Sequence, residues 1–222
     1  MVGMLFADTT AAAKKLIVID AGHQKHGNFD LEPIGPGASE KKAKVAQGTT
    51  GVSTGIPEYK LTLQVSKRLA KALRKQGYEV VMVRKKHNVN ISNSERALIA
   101  NDLKADAFIR IHANGSSDSS VSGAMTICPT KSNPYCSFIY KKSRLLSDKI
   151  VNGIAKKTGF KNRGVWETDT MSGINWCEVP VSIVEMGFMS NPQEDINMSK
   201  ASYQKKIVKG IVKGINEYFK AE

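Results

Sequence analysis

Leu16-Ile17-Val18-Ile19-Asp20-Ala21-Gly22-His23 is the stretch on which the reading of the chain turns. Leu16 to Ile19 is apolar without alternation, as expected of a strand buried on both faces of a sheet. Ala21 and Gly22 end the run, and His23 stands just beyond its carboxyl end. A strand of this kind needs helices on both sides, and the sequence downstream supplies them.

Pro57 opens the first helix, a position where its missing N–H costs nothing. Leu61, Val65, Leu69, Ala72 and Leu73 recur at helical spacing until Gly77 stops the pattern. Residues 78–83 read as the next strand, a short helix runs through Glu95 to Leu103, and residues 107–111 form a third strand. Residues 123–128 give a fourth, and Leu145, Leu146, Ile150, Val151 and Ile154 mark a helix over 137–157. Residues 181–184 are a further buried strand. Ile207, Val208, Ile211, Val212, Ile215 and Phe219 share one face of a closing amphipathic helix. Strands alternating with helices predict a single α/β domain, a twisted, mainly parallel β-sheet with helices on both faces. That domain is expected over residues 15–222, with no internal repeat. Residues 24–56 are rich in Gly, Pro, Ser, Thr and Lys and show no hydrophobic periodicity, so they are expected to form a long functional or mobile loop. Residues 1–14 read as a trimmed leader or a cloning remnant: Met1 to Ala7 is apolar but lacks the basic start of a secretory signal.

The 222 residues suffice for a substantial core, and 41% hydrophobic with 24% charged residues argues against extensive disorder. The charge is less ordinary. Thirty-three Lys and Arg against 20 Asp and Glu give +13, a field that draws polyanions: nucleic acid, anionic lipid or the anionic polymers of a bacterial wall. The basic residues are dispersed over helix faces, which favours a solvated surface, and no basic recognition helix or aromatic-basic strand supports a nucleic-acid binder. No apolar run approaches the roughly 18 residues that span a bilayer. Cys128, Cys136 and Cys177 make no disulfide framework and no CxxC pair. A local bridge between Cys128 and Cys136 and a set of reduced, partly buried thiols are both open readings.

Open α/β sheets place their sites at the carboxyl ends of strands. His23, His112 and Glu185 all fall there, and Glu58 joins them from the first turn of a helix, where the dipole favours a carboxylate. Two imidazoles, one carboxylate and an open position make a catalytic zinc site, and a second carboxylate is then free to handle protons. Taken singly, each has a plainer reading: His23 as a turn cap, His112 as a satisfied strand-end histidine, Glu58 as a helix stabiliser. Glu185 is harder to set aside, because an acid between Ser182-Ile183-Val184 and Met186-Gly187-Phe188 is costly to bury without a partner. His26 and His87 read as surface residues. Asn114 and Arg163 adjoin strand-end loops and are candidate substrate contacts, with turn roles equally open.

The blocks together resemble one family. Ile17-Val18-Ile19-Asp20-Ala21-Gly22-His23 is similar to the opening motif of the N-acetylmuramoyl-L-alanine amidases of the Amidase_3 type. The resemblance continues through Glu58 and its helix to Gly77-Tyr78-Glu79-Val80, then Ser94-Glu95-Arg96 with Ala100-Asn101. It includes Phe108-Ile109-Arg110-Ile111-His112-Ala113-Asn114-Gly115 and ends at Val184-Glu185-Met186-Gly187-Phe188-Met189-Ser190-Asn191. By that resemblance His23, Glu58 and His112 match the zinc ligands and Glu185 the catalytic glutamate. One Zn2+ ion and hydrolysis of the amide between N-acetylmuramic acid and L-alanine of peptidoglycan are implied, as is action outside the cytoplasm, in the cell wall or spore envelope. The insertion at 24–56 leaves Glu40 as a rival third ligand; Glu58 is preferred because the family glutamate begins the helix leading into the Gly-Tyr-x-Val strand. An anionic wall polymer and a protein activator are further candidate partners. A zinc peptidase acting on the stem peptide and a non-catalytic wall-binding pseudoenzyme are the competing readings.

Overall fold

The apolar run becomes strand β1 (Leu16–Ala21), which pairs in parallel with β4 (Glu79–Met82) on one side and β5 (Ala107–Asn114) on the other. β5 pairs in parallel with β8 (Val181–Phe188). β8 then pairs antiparallel with β6 (Ala124–Cys128), and β6 in parallel with β7 (Asn162–Glu167). The computed structural model describes residues 13–222, so the leader expected at 1–14 lies outside the described residues except for Ala13 and Lys14. The sheet is six-stranded, mainly parallel, in the order β4-β1-β5-β8-β6-β7.

The two faces are covered unequally. On one, α1 (Glu58–Lys75), α3 (Tyr140–Thr158) and α6 (Ala201–Ala221) press Leu61, Leu69, Leu146, Ile150, Ile211 and Ile215 against Ile17, Ile19, Ile109 and Ile111. On the other, the shorter α2 (Asn93–Asp102) and α4 (Ser172–Asn175) pack, through Ala97, Ala100 and Ile174 and with Ile139 beside them, on Val18, Phe108, Ile127 and Ile183. Side chains two apart share a face, so this thinly covered face presents successive rows across the strands. Asp20, Arg110, Ile183 and Ile127 form one row; His112, Glu185 and Met125 form the next. His112 and Glu185 therefore sit one row beyond the row of Ile127 and Ile183 on which the short helices pack.

α3 and α6 cross backbone to backbone. A Cβ added at Gly153 would lie 2.3 Å from the carbonyl oxygen of Gly210, one at Gly210 2.6 Å from Ile154 Cα, and one at Gly214 2.5 Å from Ile150 Cα. Alanine favours a helix by only about 0.5–1 kcal/mol over glycine, whereas forcing volume into a packed contact typically costs about 1–3 kcal/mol. Gly210→Ala is therefore expected to destabilise the fold, read as a lower denaturant midpoint with an unchanged slope. A variant as stable as the parent would show that the crossing has slack.

Several expectations need revision. Residues 24–56 are not structureless: they carry an antiparallel hairpin of β2 (Asn28–Pro33) and β3 (Lys41–Val45). Its periodicity was invisible because the pattern is inverted. Phe29 and Leu31 are exposed at 68% and 63%, while Glu32 is buried, its carboxylate accepting from Ser94 N–H (3.2 Å) and Ser94 O–H (2.6 Å) at the start of α2. β7, α4 and α5 (Pro192–Ser199) also appear where no element was expected. β5 and β8 extend past 111 and 184, because His112 and Glu185 are themselves paired across the two strands. All three cysteines are buried and free, so the bridge between Cys128 and Cys136 is not formed.

Candidate metal centre

His23 leaves β1 with φ at 59°, a left-handed conformation that histidine visits more readily than most residues but that still costs energy. The turn sets its imidazole edge-on to that of His112, ring centroids 4.8 Å apart. Glu58, the first residue of α1, reaches both: Oε2 lies 3.2 Å from His23 Nε2 and Oε1 3.2 Å from His112 Nδ1. Two backbone amides fix the carboxylate, Thr49 N–H on Oε2 (3.0 Å) and Ala113 N–H on Oε1 (3.1 Å). Glu58 is buried. Burial alone would raise its pKa, yet the imidazoles outweigh it and hold the carboxyl well below the usual range. His112 packs directly on Gly22, where an added Cβ would fall 2.3 Å from the ring.

The trio suits a metal ion. One donor atom from each of His23, Glu58 and His112 lies within 4.8 Å of the others. His23 Nδ1 is 2.8 Å from the Ala46 carbonyl oxygen; a carbonyl only accepts, so Nδ1 carries the proton and Nε2 points its lone pair at the Glu58 carboxylate. Such an outer bond fixes the tautomer of a metal-binding histidine. A lone pair facing a carboxylate is repulsive unless a cation stands between them. A proton can play that part: burial depresses the His23 pKa, but the bond to Glu58 outweighs it and the net shift is upward. His112, depressed by burial, keeps a buried Nε2 with no hydrogen-bond partner among the described residues.

Glu185 stands beside His112 on the neighbouring strand and borders the same cavity, of about 250 Å3, as His23 and His112. Its Oε2 is buried without a partner among the described residues. Burial first, then the charge of Glu58, pushes its carboxyl well above the usual carboxylate range. Glu40, the rival ligand, is exposed and outside the cluster. His26 and His87 are exposed, as expected. Neither Asn114 nor Arg163 borders this cavity. Asn114 accepts Gly115 N–H on its own side chain, and Arg163 donates to the Ser122 carbonyl and lies over the Phe188 ring.

Beneath the trio lies a charged layer that the sequence reading did not single out. Asp20, fully buried, accepts from Arg96 Nη1 (2.6 Å) and Arg110 Nε (3.0 Å). Burial would raise its pKa, but the two guanidiniums hold it well below the usual range. Arg96 also donates to the carbonyls of Ala21 and His23 and to Gln24 Oε1. Arg84, also buried, donates to the carbonyls of Ala21, Gly22 and Tyr59. The chain on either side of His23 is thus clamped by arginines. The available signal was an acid inside Leu-Ile-Val-Ile-Asp and an arginine inside Phe-Ile-Arg-Ile, each in a strand otherwise apolar.

Residues 17–217 match the family model described as N-acetylmuramoyl-L-alanine amidase. An N-acetylmuramoyl-L-alanine amidase of Mycobacterium tuberculosis is 26% identical over 211 residues, covering 91% of this chain and 86% of that protein. The crystal structure of the amidase Ami1 from Mycobacterium smegmatis superposes with a TM-score of 0.85 at 24% identity, over 95% of this chain and 99% of that one. The CwlD amidase of Clostridioides difficile, solved in complex with the GerS lipoprotein, superposes with a TM-score of 0.75 at 22% identity, over 94% and 100%. With nearly its whole length matched, the chain belongs to the N-acetylmuramoyl-L-alanine amidase family and is a hydrolase of peptidoglycan amides.

Proposed function

We propose that the protein is a zinc-dependent amidase cleaving the bond between the lactyl group of N-acetylmuramic acid and the L-alanine of the stem peptide. The observation that carries this reading is the convergence of His23, Glu58 and His112 beside Glu185 in one cleft. A zinc ion held by the trio would lower the pKa of a water towards neutrality and polarise the scissile carbonyl. The remaining work falls to the chain. Glu185 takes the proton of the attacking water and delivers it to the amide nitrogen, which leaves poorly until protonated. Its unbonded Oε2 is free for both transfers. Glu58 and the Ala46 carbonyl keep the two imidazoles oriented throughout.

Digestion of purified muropeptides, analysed by mass spectrometry with and without chelator, tests the proposal. Intact stem peptides with a free L-alanine amine are expected, abolished by chelator and restored by zinc. Cuts within the stem peptide would instead establish a zinc peptidase, and wall binding without cleavage a pseudoenzyme. The simultaneous presence of both histidines, Glu58 and Glu185 argues against the latter, since a binder needs no such set. His112→Ala should lose stoichiometric zinc in equilibrium dialysis; a variant that still holds one ion per chain would remove His112 from the ligand set.

The β2–β3 hairpin is proposed to wall the cleft. β3 runs into Val45 and Ala46, which border the cavity, and Trp176 Nε1 and Lys42 Nζ bond across to the Pro33 and Thr170 carbonyls (2.9 and 2.8 Å). Shortening the hairpin tip is expected to change preference among muropeptides of different glycan length, and unaltered preference would count against the wall. Asn114 and Arg163 are proposed as substrate contacts outside this cavity. The net charge of +13 suits an anionic wall polymer as a second ligand. A protein activator is proposed by analogy with the CwlD amidase solved in complex with the GerS lipoprotein. Action outside the cytoplasm, on the wall or spore envelope, as a secreted autolysin follows from the same reading. No helix among the described residues is long and apolar enough to cross a membrane.

A further inference from the structure

We propose that the cleft contains a carboxylate-binding subsite built on Arg110, one row deeper in the sheet than His112, which takes a free carboxylate of the stem peptide on the departing-amine side. This deepens the amidase reading and rests on it.

Arg110 is only 3% exposed, yet it borders the same 250 Å3 cavity as His112 and Glu185. Its Nε is committed to Asp20 and its Nη2 to Asn93 Oδ1 (2.8 Å). No acceptor for its Nη1 is found among the described residues. That nitrogen lies against Gly173, where an added Cβ would come within 1.4 Å of it, so the cleft end of the guanidinium occupies space that any larger residue would fill. Asn93 and Ser172 also border the cavity. The Asn93 amide nitrogen and the Ser172 hydroxyl, like Arg110 Nη1, have no hydrogen-bond partner of their own among the described residues. Three donors of different kinds therefore converge on one cavity, over an apolar floor of Ile127 and Ile183.

Charge decides what they would hold. Three buried guanidiniums, those of Arg84, Arg96 and Arg110, surround the single carboxylate of Asp20. Arg84 is satisfied by carbonyls and Thr62, and Arg96 by Asp20, carbonyls and Gln24. Glu58 is committed to the two imidazoles. Of the three guanidiniums Arg110 alone borders the cavity, across which Glu185 is kept for proton transfer. A neutral carbonyl would leave it uncompensated in an apolar surround, whereas a carboxylate matches the planar fork of a guanidinium and forms the stronger, charge-assisted bonds. A carboxylate bound there would lie beside the donor trio, fixing the peptide relative to the reacting amide.

Titration calorimetry of the full chain, metal-stripped and zinc-loaded, with L-alanyl-D-glutamine and L-alanyl-D-glutaminamide tests this, since the two probes differ only in the terminal carboxylate. The acid is expected to bind at least about tenfold more tightly than the amide, as a charge-assisted bond to a buried guanidinium implies, and Arg110→Gln to abolish the difference. Asn93→Ala and Ser172→Ala, which leave the Asp20–Arg110 pair in place, are expected to weaken acid binding about three- to tenfold. They decide the matter if Arg110→Gln does not fold. Equal binding of acid and amide, binding of neither, a preference that survives in Arg110→Gln, or acetate displacing the acid probe with equal affinity would each overturn the assignment. Muropeptide digestion is read separately. A preference for the acid without cleavage would sink the amidase reading and leave the subsite standing; cleavage without the preference would do the reverse.

Discussion

Glu185→Ala is expected to keep zinc bound and to lower amide cleavage by about 10²- to 10⁴-fold, the range typical of a positioned general acid–base. Glu185 is not part of the donor trio, so removing it leaves His23, Glu58, His112 and the outer bond to Ala46 in place. What goes is the carboxyl that stands beside His112 with an unbonded oxygen. Truncation should not cost stability either: Oε2 is buried with no hydrogen-bond partner among the described residues, so its desolvation is uncompensated in the native state. Lost turnover should therefore accompany an unchanged or slightly raised melting temperature. Metal content by mass spectrometry, thermal melting and muropeptide kinetics on one preparation separate the possibilities. Full turnover with full metal would remove Glu185 from the mechanism. Lost metal would mean that it helps to hold the ion.

The parts of the fold legible in the sequence are those whose signal is local. β1, α1 and α6 announce themselves through uninterrupted or strictly periodic apolar residues, and Glu58 was separable from Glu40 because only Glu58 begins a helix. The hairpin was illegible because Phe29 and Leu31 face solvent while Glu32 turns in to cap α2. β7, Asn-Arg-Gly-Val-Trp-Glu, is an edge strand with no fully buried residue, so hydrophobicity has nothing to report. α4 is four residues long, too short for a period. α5 carries a clear start signal, Asn191 as cap and Pro192 following, but few apolar residues after it. The direction of β6 against β8 depends on a partner some sixty positions away in the register, Met125 with Glu185, and no local pattern encodes that. For the same reason the donor trio could be guessed from strand ends, whereas the charged layer beneath it could not. Asp20 and Arg110 are 90 residues apart, and each alone is only an oddity in an apolar strand.

That layer makes the strongest stability prediction. Asp20→Asn keeps the shape of the side chain but removes the one negative charge among Arg84, Arg96 and Arg110. Deleting one partner of a buried ion pair typically costs about 3–5 kcal/mol, because the other charge is left uncompensated, and here two guanidiniums bond the same carboxylate. For a domain of this size each kcal/mol moves the melting temperature by about 2–4 °C, so a fall of roughly 6–20 °C is expected. The pH dependence has a definite sign. Asp20 is held below the range of an unfolded aspartate, so its contribution is complete above that range, at neutral pH, and is lost only as pH falls through the depressed value. Parent and variant should accordingly differ by a constant amount from neutral pH down to mildly acidic conditions and converge only in strong acid. The loss should also reach the metal centre, since Arg96 ties Asp20 to the carbonyl of His23: zinc affinity is expected to fall with stability, although no ligand has been touched. A variant within about 1 kcal/mol of the parent, the value of an ordinary surface pair, would show that the arginines are neutralised by something other than Asp20.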